Sequence, residues 1–556
     1  MPNKTSNKLY PPVIPNIEDW PIYRLSEDRR RFVEEIEQFT LDRLTSQHPE
    51  DLSDLIAKTI YLERIRIKEE PWKVDPPKEK QFWKKISRRL VTRSLDRDAK
   101  QARISNQHIL QRIINRYTEE IVGTFRIKTF LFARRFLTFF FTRLLNAAAL
   151  RSIRGLWGSR YRLMDKLIVT GEVDAVRSLI NKGTVVVVPT HFSNLDSILI
   201  GYAMDACLGL PSFSYGAGLN LYNTGYTAYF MNRLGAYRVD RRKKNAIYLE
   251  TLKAMSNLSI QRGVNSLFFP GGTRSRSGEL ETHLKLGLLG TAVEAQRALF
   301  QEGKDQKVYV VPLVLSYHFV LEAEFLIEQH LRRAGKERYL KVKDDFYSVW
   351  KVLQFAWKVF SQGNDITLSF GQPMDVIGNP VDAEGVSYDH HGRPLEVREF
   401  FLLEGDVSVD LQRESVYTQL LAERIVERYH RDNVVLSSHL VAFAAFRLLR
   451  RQNPKLDLFG ILRLPPEDYV FPREELLAVI RQLQEHLFEL EQKGNIKLSG
   501  DIRLPAEDLL LHGISRLGNF HLNKPLRFNK QEQIISDSFK VLYYYHNRLQ
   551  TYGFDR

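Results

Sequence analysis

The sequence predicts an α/β protein with a layered core, in which a mixed, largely parallel sheet is flanked by helical N-terminal and C-terminal regions. The first observation is the continuous β-branched run GTVVVVP at 183–189, which is typical of a strand buried on both faces. The second is the alternation of further short apolar runs with helical patterns after about residue 165. The third is that the chain on both sides of this region carries apolar residues at helical spacing.

Four more strands are predicted, in chain order at 236–240, 265–270, 307–317 and 365–371. A turn-rich excursion follows them, and helical patterns resume after Leu403. The chain therefore divides into a helical N-terminal region (1–125), a basic aromatic segment of membrane-interface helices (126–164), an α/β domain (165–400) and a helical C-terminal region (401–556).

The composition is that of a globular protein, because 44% hydrophobic and 26% charged residues over 556 positions exclude wholesale disorder. The single cysteine, Cys207, excludes an intramolecular disulfide framework and favours a reducing compartment. Cys207 follows an apolar helical pattern, so we expect it to be a buried small hydrophobic residue. The first residues contain no apolar run of the kind a secretory signal needs, so we expect no cleaved signal.

The positive charge is concentrated in one segment. Residues 81–166 hold 20 Lys or Arg against 5 Asp or Glu, which equals the whole formal net charge of +15. Within them, the aromatic stretch 125–160 is interrupted by Arg134, Arg135 and Arg143, so it offers no clear transmembrane helix. The pattern favours helices lying on an anionic membrane surface at its cytoplasmic face. The alternative is a buried helix with a solvated basic face. We expect no nucleic-acid partner, because no nucleic-acid motif occurs.

The first motif, THFSNLD at 190–196, follows the first predicted strand and contains His191 and Asp196. Across a strand-to-helix turn the carboxylate can fix the imidazole tautomer and stabilise its protonated form, which makes His191 a candidate general base toward a hydroxyl. This spacing is common by chance. The alternative is that Asp196 occupies the first turn of a helix and His191 is a structural polar residue.

Three further motifs follow other predicted strands, at the strand ends where α/β sheets expose active sites. The second motif, GAYRVDRRKK at 235–244, is by itself also typical of a solvated basic face. The third motif, FFPGGTRSRSG at 268–278, combines glycines, whose N–H groups can approach an anion, with two arginines that bind phosphate oxygens. The fourth motif, VPLVLSY at 311–317, is followed by Glu322.

In this order and spacing the four motifs resemble the four blocks of the glycerophospholipid acyltransferase superfamily, the H-x4-D acyltransferases. The chain is most similar to their long glycerol-3-phosphate and dihydroxyacetone-phosphate O-acyltransferases, because of Arg276, Glu322 and the tyrosine-rich LYYYHNRL at 542–549. The matching positions are His191, Ser193, Asp196, Gly235, Arg241, Phe269, Pro270, Gly272, Thr273, Arg274, Ser275, Pro312, Ser316, Tyr317 and Glu322.

The resemblance implies a layered α/β acyltransferase core. It also implies transfer of a fatty acyl group from acyl-CoA or acyl-carrier protein to a hydroxyl of glycerol 3-phosphate, in phospholipid biosynthesis. His191 would be the base and Asp196 would orient it. Substrate binding would fall to Ser193, Gly235, Arg241, Gly272, Thr273, Arg274, Ser275, Arg276 and Pro312. We expect no cofactor and no metal, since the acyl thioester is a co-substrate and His390 and His391 lack a third ligand at usable spacing.

One position departs from the pattern: Gly271 stands where the third block has Glu. Glu279 and Glu281 follow closely and are candidates to replace that acid. The backbone N–H groups of Gly271 and Gly272 are candidates for stabilising an oxyanion. Other activities remain open. They are acyl transfer to lysophosphatidate or to dihydroxyacetone phosphate and, in a different class, non-catalytic binding to anionic membranes.

Overall fold

The computed structural model of the protein describes residues 9–48, 51–72, 75–93, 99–149, 167–222, 225–334, 365–466, 469–519 and 521–554. Its N-terminal part is helical, as predicted. The helices are α1 Pro21–Glu27, α2 Arg29–Gln47, α3 Leu52–Glu69, α4 Glu79–Arg93, α5 Ala99–Ile121 and α6 Ile127–Ala149. Residues 150–166, which include the end of the predicted membrane-interface segment, lie outside the described residues.

A seven-stranded sheet forms the centre of the molecule. Its strands are β1 Leu167–Gly171, β2 Gly183–Pro189, β3 Ser214–Gly218, β4 Ala236–Val239, β5 Ser266–Leu267, β6 Lys307–Tyr317 and β7 Ile366–Phe370. The strand order is β1-β7-β6-β2-β5-β3-β4, and every neighbouring pair is parallel except β6 with β7. The predicted mixed, largely parallel sheet is therefore confirmed.

The β-branched residues of β2 account for its central place, because Val185 to Val188 are fully buried between two layers. All five predicted strands form. Strands β1 and β3 were not identified from the sequence. The sequence of β3, SYGAG, contains two glycines and lacks the β-branched residues on which strand prediction depends.

Six helices connect the strands and cover the sheet. They are α7 Val173–Leu179, α8 Asp196–Tyr202, α9 Gly225–Met231, α10 Ala246–Gln261, α11 Leu286–Gln301 and α12 Ala323–Ala334. The N-terminal region packs against helix α10. Tyr248 and Met255 of that helix are buried in one apolar cluster with residues of the N-terminal helices, namely Ile36, Ile113 and Tyr117. The N-terminal helices thus pack directly on the α/β core.

The C-terminal region is also helical, with α13 Leu411–Arg431, α14 Ser437–Gln452, α15 Leu458–Leu462, α16 Arg473–Gln492, α17 Ala506–Arg516 and α18 Phe539–His546. The two-residue strands between 387 and 535 are β8 Ser387–Tyr388, β9 Pro394–Leu395, β10 Leu402–Leu403, β11 Asp406–Val407, β12 Val434–Val435, β13 Val470–Phe471, β14 Lys497–Leu498, β15 Arg527–Phe528 and β16 Ile534–Ile535. Helix α14 is buried from residue 437 to 449 and shares one hydrophobic core with the sheet. The C-terminal region is therefore continuous with the core of the α/β domain.

Buried ion pairs hold the N-terminal helices together and join them to the second motif. The Arg66 guanidinium contacts Glu63, Asp75 and Glu79 at 2.7, 2.9 and 2.6 Å. Asp75 also accepts a hydrogen bond from Arg242 at 2.5 Å. Buried charges are tolerated when each is paired in this way. The basic run of the second motif is consequently not simply a solvated face.

Helix α6 is the described part of the predicted membrane-interface segment. Phe132, Phe136 and Phe139 are 58%, 44% and 60% exposed, and their spacing places them along one face. Among the residues that the structure describes, none of the helices combines the length and apolarity that crossing a bilayer needs.

Candidate active site

The first motif forms the turn between β2 and α8, and the structure brings its two predicted catalytic residues together. The Nδ1 atom of His191 lies 2.8 Å from Oδ2 of Asp196. The predicted Asp–His pair is therefore present. Since Asp196 engages Nδ1, Nε2 is the ring nitrogen that can accept a proton from a hydroxyl.

The Asp196 carboxylate is fully buried, and its environment explains how it is kept there. Oδ2 also accepts the backbone N–H groups of Phe192 and Ser193, at 2.7 and 3.0 Å. Oδ1 accepts the hydroxyl of Tyr317, which ends β6, at 2.6 Å. These donors compensate for the lost hydration of the carboxylate.

The His191 ring is held on a second side by the third motif. It stacks on Phe269 with ring centroids 4.1 Å apart and an interplanar angle of 25°. The carbonyl oxygen of His191 accepts the N–H of Ser275 at 2.7 Å. About 15% of the His191 side chain is exposed. The ring is thus restrained and still reachable by a substrate.

The glycine turn of the third motif differs from the expectation in one respect. The N–H of Gly272 donates to the carbonyl of Phe269 at 3.0 Å, so it is already used within the turn. In this conformation the Gly272 N–H is therefore already engaged, and stabilisation of an oxyanion by the Gly271 N–H stays a prediction. Gly272 has a φ of +75°, which favours glycine, whereas Gly271 is not among the glycines with positive φ.

Glu322 links three of the motifs. Its Oε1 lies 3.2 Å from Nη1 of Arg274 and accepts the N–H of Asn194 at 3.0 Å. Its Oε2 accepts the hydroxyl of Ser193 at 3.0 Å. Burial raises the pKa of Glu322, and the nearby Arg274 opposes that shift. Arg274 and Ser193 are therefore placed beside the His191 turn, as predicted.

The other predicted residues of the third motif lie in the same loop. Arg276 donates from Nε to Oε1 of Gln329 on α12 at 3.1 Å. The hydroxyl of Ser275 donates to the carbonyl of Glu279 at 2.8 Å. Thr273 is partly exposed. The roles of Arg276 and Thr273 in substrate binding stay predictions.

Pro312, Gly235 and Arg241 are placed differently from the rest. Pro312 is buried in the middle of β6, opposite Val188, where it is part of the sheet. A Cβ on Gly235 would collide with Ile22 of α1, so this glycine faces the N-terminal region. Arg241 is exposed at the end of β4. Its neighbour Arg242 is paired with Asp75 and Asp240, as described for the N-terminal ion pairs.

The sequence prediction assigned no role to Arg548, which reaches the site from the C-terminal region. Its guanidinium donates to the carbonyl of Leu315 at 2.7 Å and to the hydroxyl of Ser316 at 3.2 Å. It also covers the ring of Phe192, 4.4 Å from the centroid. Burial lowers the pKa of Arg548 to about 10. The tyrosine-rich ending was the only sequence signal for this contact.

Glu281, one of the two candidates to replace the acid missing at position 271, also reaches the site. Its Oε1 accepts the backbone N–H of His191 at 2.9 Å. Its Oε2 is buried and has no hydrogen-bond partner among the described residues. Burial raises the pKa of Glu281 from its ordinary 4.5 to about 7, and the His191 N–H acts against that shift.

In the described part of the chain, no group of three or more His, Cys, Asp or Glu side chains has the arrangement to hold a metal ion. The rings of His390 and His391 lie side by side, with centroids 3.8 Å apart. Cys207 is buried, as expected, and burial raises the pKa of its thiol to about 12.

Comparison with known proteins finds an acyltransferase match over the part of the chain that holds the His191–Asp196 pair. Residues 168–316 match the family model described as Acyltransferase. A protein named glycerol-3-phosphate acyltransferase from Actinobacillus succinogenes is 24% identical over 413 residues, which cover 73% of this chain and 44% of that protein. Another of that name, from Aeromonas hydrophila, is 29% identical over 239 residues, which cover 42% of this chain and 27% of that protein.

A solved structure of the 1-acyl-sn-glycerophosphate acyltransferase from Thermotoga maritima is 15% identical, covers 67% of this chain and 93% of that chain, and has a TM-score of 0.23. The sheet, the His–Asp pair and the family match define residues 168–316 as an acyltransferase domain. Over these residues the chain is similar to the glycerophospholipid acyltransferases. The matched regions cover less than half of the length of each of the two curated relatives described above.

Replacing Glu281 by Gln should change stability in a pH-dependent way. The raised pKa of Glu281 means that folding favours its neutral form, so the wild type loses stability as the pH rises from 4.5 toward 7. Glu281→Gln removes that loss and keeps the oxygen that accepts the His191 N–H. The difference in Tm between Glu281→Gln and wild type should therefore increase between about pH 5 and about pH 8.5. An equal difference in Tm at the two pH values would contradict the raised pKa of Glu281.

Proposed function

We propose that the protein transfers a fatty acyl group from an acyl thioester to a hydroxyl of glycerol 3-phosphate. The observation that carries the proposal is the His191–Asp196 pair at 2.8 Å, with the imidazole restrained on two sides and partly exposed. The family match and the names of the similar proteins support the reaction class and the acceptor. The donor is acyl-CoA or acyl-carrier protein.

In the proposed reaction the acceptor hydroxyl attacks the thioester carbonyl carbon while Nε2 of His191 takes the hydroxyl proton. A general base of this kind contributes about 10²–10⁴-fold. Collapse of the tetrahedral intermediate breaks the carbon–sulfur bond, and the imidazolium returns its proton to the departing thiolate. Asp196 offsets the imidazolium charge and holds the ring in the tautomer that leaves Nε2 unprotonated at the start. These steps use the protein side chains alone.

The acceptor phosphate would bind near Arg274, which lies in the third motif beside the His191 turn. The Arg274 side chain is 10% exposed and shares its charge with Glu322 at 3.2 Å. An arginine can bind a phosphate through one edge of its guanidinium while a carboxylate holds the other. Arg276 and Arg241 are the further cations proposed for the acceptor.

Replacing His191 by Ala should abolish transfer without unfolding the protein, because it removes the only proposed base. We expect kcat to fall by about 10² or more, with an unchanged circular dichroism spectrum. Asp196→Asn should also be severe, since Asn cannot offset the imidazolium charge. Turnover by His191→Ala above about a tenth of the wild-type rate would show that His191 is not the base.

Replacing Arg274 by Ala tests both the phosphate site and the choice of acceptor. Purified wild type and variant would be given an acyl thioester with glycerol 3-phosphate, dihydroxyacetone phosphate or lysophosphatidate. We expect the wild type to prefer glycerol 3-phosphate, and Arg274→Ala to raise the acceptor KM far more than the donor KM. Equal effects on both KM values would remove Arg274 from the acceptor site. Preference for another acceptor would replace the proposed substrate.

We also propose that helix α6 attaches the enzyme to an anionic membrane surface, where acyl products partition. The exposed face of Phe132, Phe136 and Phe139 would enter the interface while the neighbouring Arg126 and Lys128 contact anionic headgroups. Phe132 stacks on Phe230 of α9, with centroids 5.9 Å apart, which extends the same surface. A membrane-binding protein without catalysis is the alternative, and the acceptor assay distinguishes the two.

A triple variant with Phe132, Phe136 and Phe139 changed to Ser should bind vesicles more weakly. Each buried aromatic side chain contributes about 1.5–3 kcal/mol, so binding should fall at least about tenfold. The measurement is co-flotation with phosphatidylcholine vesicles that contain or lack phosphatidylglycerol, at low and high salt. Binding of the wild type should need the anionic lipid and weaken with salt. The control is Tyr61→Ser on α3, which removes an equally exposed aromatic group. Equal binding by wild type and triple variant would disprove the surface.

A further inference from the structure

A side chain at position 271 would be crowded by a neighbouring residue, whereas the backbone conformation there does not call for glycine. Unlike Gly272, Gly271 does not have a positive φ. A Cβ at position 271 would instead lie 3.0 Å from Cγ and 3.3 Å from Oε1 of Glu281, which is closer than ordinary packing allows. The space beside the turn is therefore occupied by a carboxyl-bearing side chain from ten residues further along the chain.

The same carboxyl group contacts the residue that carries the proposed base. Oε1 of Glu281 accepts the His191 N–H at 2.9 Å, while the His191 carbonyl accepts the N–H of Ser275 at 2.7 Å. The segment is closed again at its far end, where Lys285 donates its backbone N–H to the carbonyl of Pro270 at 2.8 Å. Both backbone polar groups of His191 are consequently bound by residues 275–281.

The charges around Glu281 belong to the site as well. The Asp196 carboxylate and the Arg548 guanidinium both lie close enough to influence its ionisation, in opposite directions. Oε2 of Glu281 is buried and unpartnered among the described residues. An unsatisfied buried oxygen costs about 1–3 kcal/mol, so Oε2 destabilises the fold unless a further group binds it.

We propose that Glu281 is the positioning residue of this active site. It supplies, from the segment after the third motif, the carboxyl group that the chain lacks at position 271, and it fixes the backbone of His191 so that the imidazole meets the acceptor hydroxyl. This inference rests on the proposed function. A displacement of about 1 Å at a reacting group can cost about 10²-fold in rate, so the backbone contact bears directly on kcat.

The test compares wild type with Glu281→Ala, Glu281→Gln and the double variant Gly271→Glu/Glu281→Ala. Glu281→Ala should lower kcat about 10- to 100-fold and leave the KM of the acyl donor unchanged. Glu281→Gln keeps the accepting oxygen and should retain kcat to within about threefold. In the double variant the carboxyl group is carried by position 271, and the space left by the Glu281 side chain accommodates it. Its kcat should be about tenfold higher than that of Glu281→Ala.

Glu279→Ala is the matched control, because it removes a carboxylate from the same loop and should leave kcat unchanged. Full activity of Glu281→Ala would overturn the proposal. Equal loss in Glu281→Ala, Glu281→Gln and the double variant would also overturn it, since the side chain would then serve only the fold. Should Glu281→Ala fail to fold, a kcat of Glu281→Gln more than about threefold below that of the wild type would still overturn the proposal.

Hydrogen–deuterium exchange separates this inference from the proposed reaction. The peptide that contains His191 should exchange faster in Glu281→Ala than in wild type, and at the wild-type rate in Glu281→Gln. No transfer to any acceptor by the wild type would remove the proposed function, and the exchange rates would still report on Glu281. Equal exchange in all three proteins would overturn the positioning role whatever the activity.

Discussion

The arrangement of the site depends on keeping the Asp196 carboxylate charged and fully buried. Four donors make this possible: the His191 ring, two backbone N–H groups of the first motif, and the Tyr317 hydroxyl at 2.6 Å. They come from the turn after β2 and from the end of β6, which are neighbouring strands. The sheet must therefore hold these two strand ends in register, because an uncompensated buried carboxylate would cost several kcal/mol.

The C-terminal region also contributes a buried charged residue to the site, and that charge too must be compensated. Arg548 is buried against the last residues of β6 and is bound by neutral acceptors, the Leu315 carbonyl, the Ser316 hydroxyl and the Asn433 side chain at 2.9 Å. Nearby carboxylates offset part of the cost of burying a cation. Asp196 and Glu281 meet that need, since both favour the charged form of Arg548. The catalytic pair and the C-terminal helices consequently stabilise each other.

The sequence was sufficient to predict features that depend on residues close together in the chain. A β-branched run predicts β2, and the order and spacing of the four motifs together predict the contact of His191 with Asp196. It was insufficient where a residue's partner is distant in the chain. Arg242 is paired with Asp75, which lies 167 residues away in the sequence, and Gly235 packs against Ile22. Both residues of the second motif therefore contact the N-terminal region and do not form part of a solvated basic face. Pro312 matches a block of the family, yet its position inside β6 gives it a role in the sheet.

The two adjacent glycines of the third motif show why comparison by position alone is incomplete. Gly272 is required by a φ of +75°, a property of its own backbone that a sequence pattern records well. A Cβ at position 271 would crowd Glu281, a residue of a different segment, and a pattern read at one position does not record that contact. The motif acid is absent at position 271, and the Glu281 carboxyl group lies beside the same turn and accepts the His191 N–H. A departure from a motif is therefore best judged by the groups that occupy the space around it, because the chemistry depends on where the carboxyl group lies and not on which residue number supplies it.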